Sequence, residues 1–289
     1  MWMLNLRKWR GKIQEWLDED IMEGDLSTHS LLTPQDREKA WIQAKEDGIV
    51  AGLWLAKMVF EEVDPSCQIQ VLVEDGSPVK RGDVLLEIEG PMLSLLAAER
   101  VALNLLQRMS GIATLTQQYV NLVKDYSVRI VDTRKTTPGL RGLEKYAVRM
   151  GGGFNHRFGL YDAAMIKDNH IKAAGSITKA VQTLRANLPH TTRIEVEVEH
   201  EEQVEEALSV QADIIMLDNM SIEQMKKAVE KINKRAIVEA SGGVSLQTVR
   251  EIASTGVDVI SVGALTHSVK ALDISMDLGR RKNIIESDA

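Results

Sequence analysis

In the second half of the chain, short apolar runs alternate with stretches of helical period. Six runs stand out: VRIVDT, DAAMIK, RIEVEV, DIIMLD, AIVEA and DVISVG. Each is short and apolar and is followed by a helical pattern. The later runs recur roughly every 20 to 23 residues, the length of a compact βα unit. Six strands fall short of the eight that close a βα barrel. The pattern therefore predicts an open, incomplete βα barrel over residues 110–270, with an open doubly wound sheet as the alternative.

The first half follows a different pattern. In MWMLNLRKWRGKIQEWLDED a charge interrupts the apolar positions every few residues, which predicts an amphipathic helix rather than a signal peptide. A polar turn region from Glu23 to Thr28 precedes strand-like runs at Lys39 to Ala44 and Gln68 to Val73. The stretch VEDGSPVKRGDVLLEIEG, punctuated by Gly and Pro, predicts a compact hairpin unit. From Leu93 to Asp125 the period is helical, with Gly111 as the expected break. On this helix Arg100, Asn104 and Arg108 form a polar stripe beside the apolar Val101, Leu105 and Met109, as a solvated helix face does. Residues 1–109 thus read as a mixed α and β domain, and the tail 271–289 leaves the repeat and is expected to return to it.

Composition narrows the field. With 289 residues, 44% hydrophobic and 27% charged, the chain has globular usage and room for two modest domains. A formal charge of -7 argues against nucleic acid as a partner, because phosphate backbones are held by basic surfaces. The single cysteine, Cys67, excludes an intramolecular disulfide and reads as a small buried hydrophobe. No apolar stretch is long enough to span a bilayer, so a cytoplasmic protein without a membrane partner is expected.

Polar residues at the ends of the six strands are where chemistry collects. VRIVDT runs into Arg134 and Lys135, DAAMIK ends in Lys167, RIEVEV carries Glu197, DIIMLD ends in Asp218, AIVEA runs into Ser241 and DVISVG ends in Gly263. Parallel strands bring their carboxyl ends to one rim, so these groups are expected around one pocket. Arg134, Lys135, Arg157 and Lys167 suit a multiply anionic ligand. Glu197 and Asp218 suit sugar hydroxyls, a divalent cation or a developing positive charge. Ser241, Gly242 and Gly243, and Val262, Gly263 and Ala264, follow the last two strands and precede helices. Their amides are placed to cradle a phosphate, although an ordinary βα turn has the same composition.

The segment DTRKTTPGLRGLEKYAVRMGGGFNHRFGLYDAAMIKDNH, Asp132 to His170, resembles the quinolinate phosphoribosyltransferase family. IEVEVE, MLDNMS, EASGG and SVGALTHS continue the resemblance in the same order, and LDEDIMEGDLST and AAERVALNLLQRMSGIAT extend it toward the N-terminus, so it covers nearly the whole chain. It implies an N-terminal α/β sandwich followed by an open βα barrel, assembled as a homodimer or a hexamer. It also implies joining of quinolinate to phosphoribosyl pyrophosphate in the presence of Mg2+, yielding nicotinate mononucleotide, pyrophosphate and carbon dioxide. By the same resemblance Thr133, Arg134, His156, Arg157 and Lys167 bind quinolinate, and Arg100 reaches in from the other subunit. Lys135 acts beside the pyrophosphate and ribose, Glu197 and Asp218 face ribose hydroxyls and magnesium, and the loops at Ser241 and Gly263 receive the sugar phosphate.

Plainer readings stand beside these. His156 follows a triple glycine and can equally be a loop histidine bonded to backbone. His29, His170, His190, His200 and His267 lack paired metal-ligand spacing and read as structural. Glu195, Glu197 and Glu199 alternate and are expected on one face, where unpaired carboxylates demand a cationic or hydroxylic partner. Glu144, Lys145 and Arg149 have the spacing of exposed helical ion pairs, and Arg141 is expected to face solvent or the turn before them. Three rival functions remain: a Schiff-base aldolase using Lys167, a biotinyl or lipoyl carrier suggested by residues 74–90, and a related pyrophosphorylase from molybdenum operons.

Overall fold

The computed structural model describes residues 6–279 and divides them into two compact units. The first unit takes residues up to 115, then 142–151, then those from 269 onward; the second takes 116–141 and 152–268. The last ten residues of the expected returning tail, 280–289, lie outside the described residues.

In the first unit the elements are α1 (Leu6–Ile21), α2 (Leu26–Leu31), β1 (Arg37–Ala44), β2 (Gly48–Ile49), α3 (Leu53–Val63), β3 (Gln68–Val71), β4 (Pro78–Val79) and β5 (Val84–Pro91), followed by α4 (Met92–Leu122). α4 begins in this unit and ends in the second. Trp9, Ile13 and Leu17 of α1 are buried at a spacing of four, as an amphipathic helix requires. α3 buries Leu55, Ala56, Val59 and Phe60. Cys67 is buried, and loss of solvation pushes its thiol up to about 11, so it is inert as a nucleophile at neutral pH.

Residues 74–90 do not form a hairpin of their own. β4 pairs with β2, whereas β5 pairs antiparallel with β1 and β3. Pro78 has no amide to donate, and Gly76 and Gly82 turn the chain at positive φ, so the stretch works as a connection between sheets. The helix α4 also departs from expectation, running for 31 residues without a break at Gly111. A Cβ at Gly111 would lie 2.2 Å from the Lys270 carbonyl oxygen, so this glycine permits close approach of the 270–271 backbone instead of ending a helix.

The second unit contains β6 (Arg129–Val131), β7 (Ala164–Ile166), α6 (Asp168–Ala174), α7 (Ile177–Asn187), β8 (Ile194–Val198), α8 (Glu201–Ser209), β9 (Ile214–Asp218), α9 (Ile222–Ile232), β10 (Ile237–Ser241), α10 (Val249–Ala253), β11 (Val259–Ser261) and α11 (Ala264–His267). Between β6 and β7 the chain contributes α5 (Arg141–Met150), whose residues from Gly142 onward cluster with the first unit. The final strand, β12 (Ile274–Leu278), pairs antiparallel with β1, giving a four-stranded sheet ordered β12-β1-β5-β3.

α5 corrects a second expectation. Glu144 and Lys145 are 1% and 0% exposed, not members of a solvated ion-pair face. Glu144 accepts hydrogen bonds from Nε and Nη2 of Arg108 at 2.9 and 2.5 Å, which compensates the buried carboxylate. Arg108 therefore leaves the polar stripe of α4 for an internal pair, while Arg100 and Asn104 stay exposed.

The six strands of the second unit form one wholly parallel sheet in the order β6-β11-β10-β9-β8-β7. β6 and β7 form its two edges, and among the described residues only the bridge from Val131 to Phe154 adds to the sheet outside the named strands, so the barrel is incomplete between them. At the amino ends, Asp213 accepts from the Ile194 amide at 2.7 Å and Asp258 from the Val238 amide at 2.8 Å, each clamping the start of a neighbouring strand. That rim is structural, and the opposite one is left for chemistry. Among the described residues, no helix is long and apolar enough to cross a membrane.

Gly111→Ala is expected to cost about 1–3 kcal/mol, the usual penalty of overpacking. In urea the unfolding midpoint should fall with an unchanged slope. An unchanged midpoint would show that the 270–271 backbone can give way.

Candidate active site

The carboxyl ends of β6 to β11 carry the cations, carboxylates and glycines that the sequence singles out. Thr133, Arg134 and Lys135 follow β6, Lys167 follows β7, Glu197 lies near the end of β8, Asp218 ends β9, Ser241 ends β10 and Gly263 follows β11. Period-two geometry puts Glu195 and Glu197 on one face of β8 and Glu239 and Ser241 on one face of β10. Glu199 does not join them, because β8 stops at Val198 and Glu199 is exposed.

The loop after β6 is shaped by one buried acid. Asp132, fully buried, accepts from Asn155 Nδ2 at 2.6 Å and from the His156 amide at 3.0 Å. Asp162 accepts from the amides of Phe158 and Gly159, and Arg141 is held inside the loop region by Thr136 Oγ1 and the Phe158 carbonyl, both at 2.9 Å. Arg141 is thus a loop clamp and does not face solvent freely.

His156 has both ring nitrogens engaged within the protein. Its Nδ1 accepts the Arg157 amide at 2.8 Å, and its Nε2 lies 3.2 Å from Glu195 Oε2 and 3.5 Å from Glu239 Oε2. An Nδ1 that accepts an N–H carries a lone pair, so the ring proton sits on Nε2. Burial disfavours a charge on His156, but the two carboxylates outweigh it and push its proton affinity up to about 10. The extra proton has no room at Nδ1. Burial raises Glu195 as well, so the proton of this cluster belongs on its carboxylate side. His156, Glu195 and Glu239 have the grouping of a metal site among the described residues. The Nε2 proton denies a cation the nitrogen lone pair it needs, which favours a hydrogen-bonded cluster.

Arg157 extends from this cluster. Its Nη1 donates to the Ala163 carbonyl at 2.9 Å and its Nη2 to Met165 Sδ at 3.4 Å; a guanidinium has five N–H donors, so others remain for an anion. Burial, and then the nearby charge of Arg134, lower its proton affinity. A half-buried guanidinium with the exposed cation of Arg134 nearby makes a site that binding of an anion relieves.

Other contacts tie the rim together. Lys167 is ion-paired with Glu197, and its amide donates to His170 Nδ1 at 3.0 Å. Asp218 accepts from Asn219 Nδ2 at 2.8 Å, and the Asn219 amide donates to the Ser241 carbonyl at 3.0 Å. Gly242 is needed there: its φ is +89°, and a Cβ would lie 2.1 Å from Asn219 Oδ1. Lys135 donates its amide to Thr133 Oγ1 at 3.0 Å and accepts at its carbonyl from Thr266 Oγ1 at 2.7 Å, which joins the β6 loop to the α11 turn. Gly263 caps α11, where a Cβ would lie 3.2 Å from Lys135 Cδ. Arg100 belongs to the first unit, exposed and paired with Glu99.

Glu239, Asp132, Asn155 and Asn219 were not singled out as site residues. A carboxylate inside the apolar run AIVEA was the available signal for Glu239, and for Asp132 it was an acid ending VRIVD. Asn155 and Asn219 act through loop geometry that no spacing rule encodes.

The description "Quinolinate phosphoribosyl transferase, C-terminal domain" matches residues 112–277, and the corresponding N-terminal domain matches residues 25–110. A probable nicotinate-nucleotide pyrophosphorylase [carboxylating] from Synechocystis is 53% identical over 271 residues, covering 93% of this chain and 92% of its own. A protein of the same description from Bacillus subtilis is 48% identical over 268 residues, covering 93% and 92%. The crystal structure of NadC from Streptococcus pyogenes superposes with a TM-score of 0.93 at 44% identity, covering 96% of this chain and 99% of that one.

Removing the acceptor at Asp132→Ala should open the 154–157 loop locally. Exchange of the His156 amide with solvent is expected to accelerate by about 10- to 100-fold, the equivalent of an unsatisfied buried donor. Unchanged exchange would show that other contacts hold the loop.

Proposed function

The chain belongs to the quinolinate phosphoribosyltransferase family, and we propose that the carboxyl rim of its barrel is where quinolinate and phosphoribosyl pyrophosphate meet. The enzyme transfers a phosphoribosyl group to quinolinate with decarboxylation, in NAD biosynthesis. The observation that carries the site assignment is the half-buried Arg157 guanidinium, pinned by the Ala163 carbonyl and Met165 Sδ with donors to spare for an anion.

In this reading Arg134, Arg157 and Lys167 hold the two carboxylates of quinolinate, with Thr133 at the loop that frames them. His156 supports Arg157 from behind instead of touching ligand, since its ring nitrogens are both engaged. Lys135 stands by the pyrophosphate. Amides of Ser241, Gly242 and Gly243, and of Val262, Gly263 and Ala264, receive the sugar phosphate. The ion pair of Lys167 with Glu197 couples the two substrates: a carboxylate that takes Lys167 frees Glu197 for the ribose hydroxyls.

As the bond from the anomeric carbon to pyrophosphate breaks, positive charge grows on the ribose. Glu197 and Asp218 stabilise that charge more than they stabilise the ground state. The pyridine nitrogen supplies its electron pair to the anomeric carbon and becomes cationic. The bond to the adjacent carboxylate then breaks, its electrons pass into the ring, carbon dioxide leaves and a proton takes its place.

Glu197 and Asp218 fit Mg2+ by donor chemistry, because this hard cation binds through one or two carboxylates together with substrate phosphates and water. Their strands are neighbours in the sheet, and Asp218 is the readier of the two while Lys167 holds Glu197. Bound there, the ion supplies charge neutralisation for the departing pyrophosphate. Arg100, exposed on α4, completes the pocket of a partner protomer in a homodimer or a hexamer. The enzyme works in the cytoplasm.

Purified chain should form nicotinate mononucleotide from quinolinate and phosphoribosyl pyrophosphate, in preference to using nicotinate; a preference for nicotinate would move it to a neighbouring activity. Arg157→Ala should weaken quinolinate binding by about 10- to 100-fold in calorimetry, the loss of a charge-assisted contact. Equal affinity would refute its role. Mixing Arg100→Ala protein with Lys167→Ala protein should restore part of the activity, and no recovery would count against a pocket shared between protomers.

A further inference from the structure

Below the proposed substrate contacts lie two acids that this chemistry does not use. Glu195 on β8 and Glu239 on β10 are 2% and 3% exposed, and β9 separates their strands. The outer oxygen of each, Oε1, is buried without a hydrogen-bond partner. Leaving such atoms unsatisfied is costly, and packing alone does not call for acids at these positions. The inner oxygens of both converge on one atom, His156 Nε2.

We propose that Glu195 and Glu239 are positioning residues that force His156 into the Nε2–H tautomer and thereby aim Arg157 at the substrate. The relay has four links. Two acceptors facing Nε2 require a proton there. With Nε2 protonated, the neutral ring presents a lone pair at Nδ1. That lone pair takes the Arg157 amide at 2.8 Å and fixes the backbone from which the guanidinium extends. Asp132 holds the same backbone one residue earlier, through the His156 amide. The guanidinium then reaches the Ala163 carbonyl and Met165 Sδ with its remaining donors directed to a ligand.

One acceptor would favour this tautomer, and two make the alternative expensive. If the proton moved to Nδ1, it would confront the Arg157 N–H while Nε2 offered a lone pair to two carboxylates. The charged groups facing the ring are Glu195 and Glu239 from β8 and β10, with the cationic Arg157 beside it, while Asp132 after β6 meets only the His156 amide. The negative charge that the acid pair retains also acts favourably on Arg157. This relay rests on the reading of Arg157 as a quinolinate contact.

The test reads the tautomer directly. Two-bond proton–nitrogen correlation spectra of the intact protein carrying isotope-labelled histidine should show His156 protonated at Nε2 and unprotonated at Nδ1 at neutral pH, its resonances assigned by their loss in His156→Gln. In protein carrying both Glu195→Gln and Glu239→Gln, whose amides can donate to Nε2, the ring should shift toward the Nδ1–H form. The KM for quinolinate should then rise by about tenfold or more, the scale of one misplaced charge-assisted contact. The KM for phosphoribosyl pyrophosphate and kcat should change far less, which a general loss of structure would not produce. An imidazolium or an Nδ1–H ring in the parent protein would overturn the proposal, as would equal changes in both KM values. If the double variant does not fold, the parent spectrum alone decides. Failure of the parent chain to use quinolinate would instead remove the functional reading, while the spectrum still judges the tautomer.

Discussion

The organising constraint in the second unit is electrostatic: cations can gather at one rim of a parallel sheet only if acids stand close enough to offset them. Arg134 and Arg157 repel one another, yet Glu195 lies near Arg157 and Glu197 holds Lys167. These acids sit on the same strand at a period of two, so a single strand carries charge compensation at two depths. The upper acid is exchangeable, because a ligand can displace it. The lower one is buried beneath it, against His156.

The sheet makes that arrangement reproducible. Every strand runs the same way, so each residue that ends a strand arrives at the same rim regardless of how far apart it lies in sequence. The opposite rim shows what happens where no ligand is served. There Asp213 and Asp258 spend their oxygens on neighbouring strand amides, which holds register and exposes no reactive group. Stability and chemistry are thus divided between the two ends of the same strands.

Much of this was legible because it depends on local pattern. All six parallel strands are written as short apolar runs, and the polar residues that end them lie in or just after the same runs. What could not be read depends on partners far away in sequence. Glu144 looks like a surface charge until Arg108, 36 residues earlier, is seen to meet it. Gly111 looks like a helix break until the 270–271 backbone is found against it. The residues 74–90 look like a hairpin because turn signals show where a chain bends and not which strand it pairs with. The His156 ring meets Glu195 and Glu239 from two different strands, and Glu239 is a single acid in an apolar run that periodicity treats as an exception.

The pairing of β12 with β1 has a consequence for how the chain is made. Gln43 and Asp277, joined side chain to side chain across that pair, are 234 residues apart. During synthesis from the N-terminus, β1 leaves the ribosome long before its outer partner exists, and its edge amides and carbonyls are open to any passing strand. The sheet of the first unit therefore gains its β12 edge only after the entire parallel sheet has emerged. Contacts of such long range slow folding, which prolongs the interval in which that strand edge is bare.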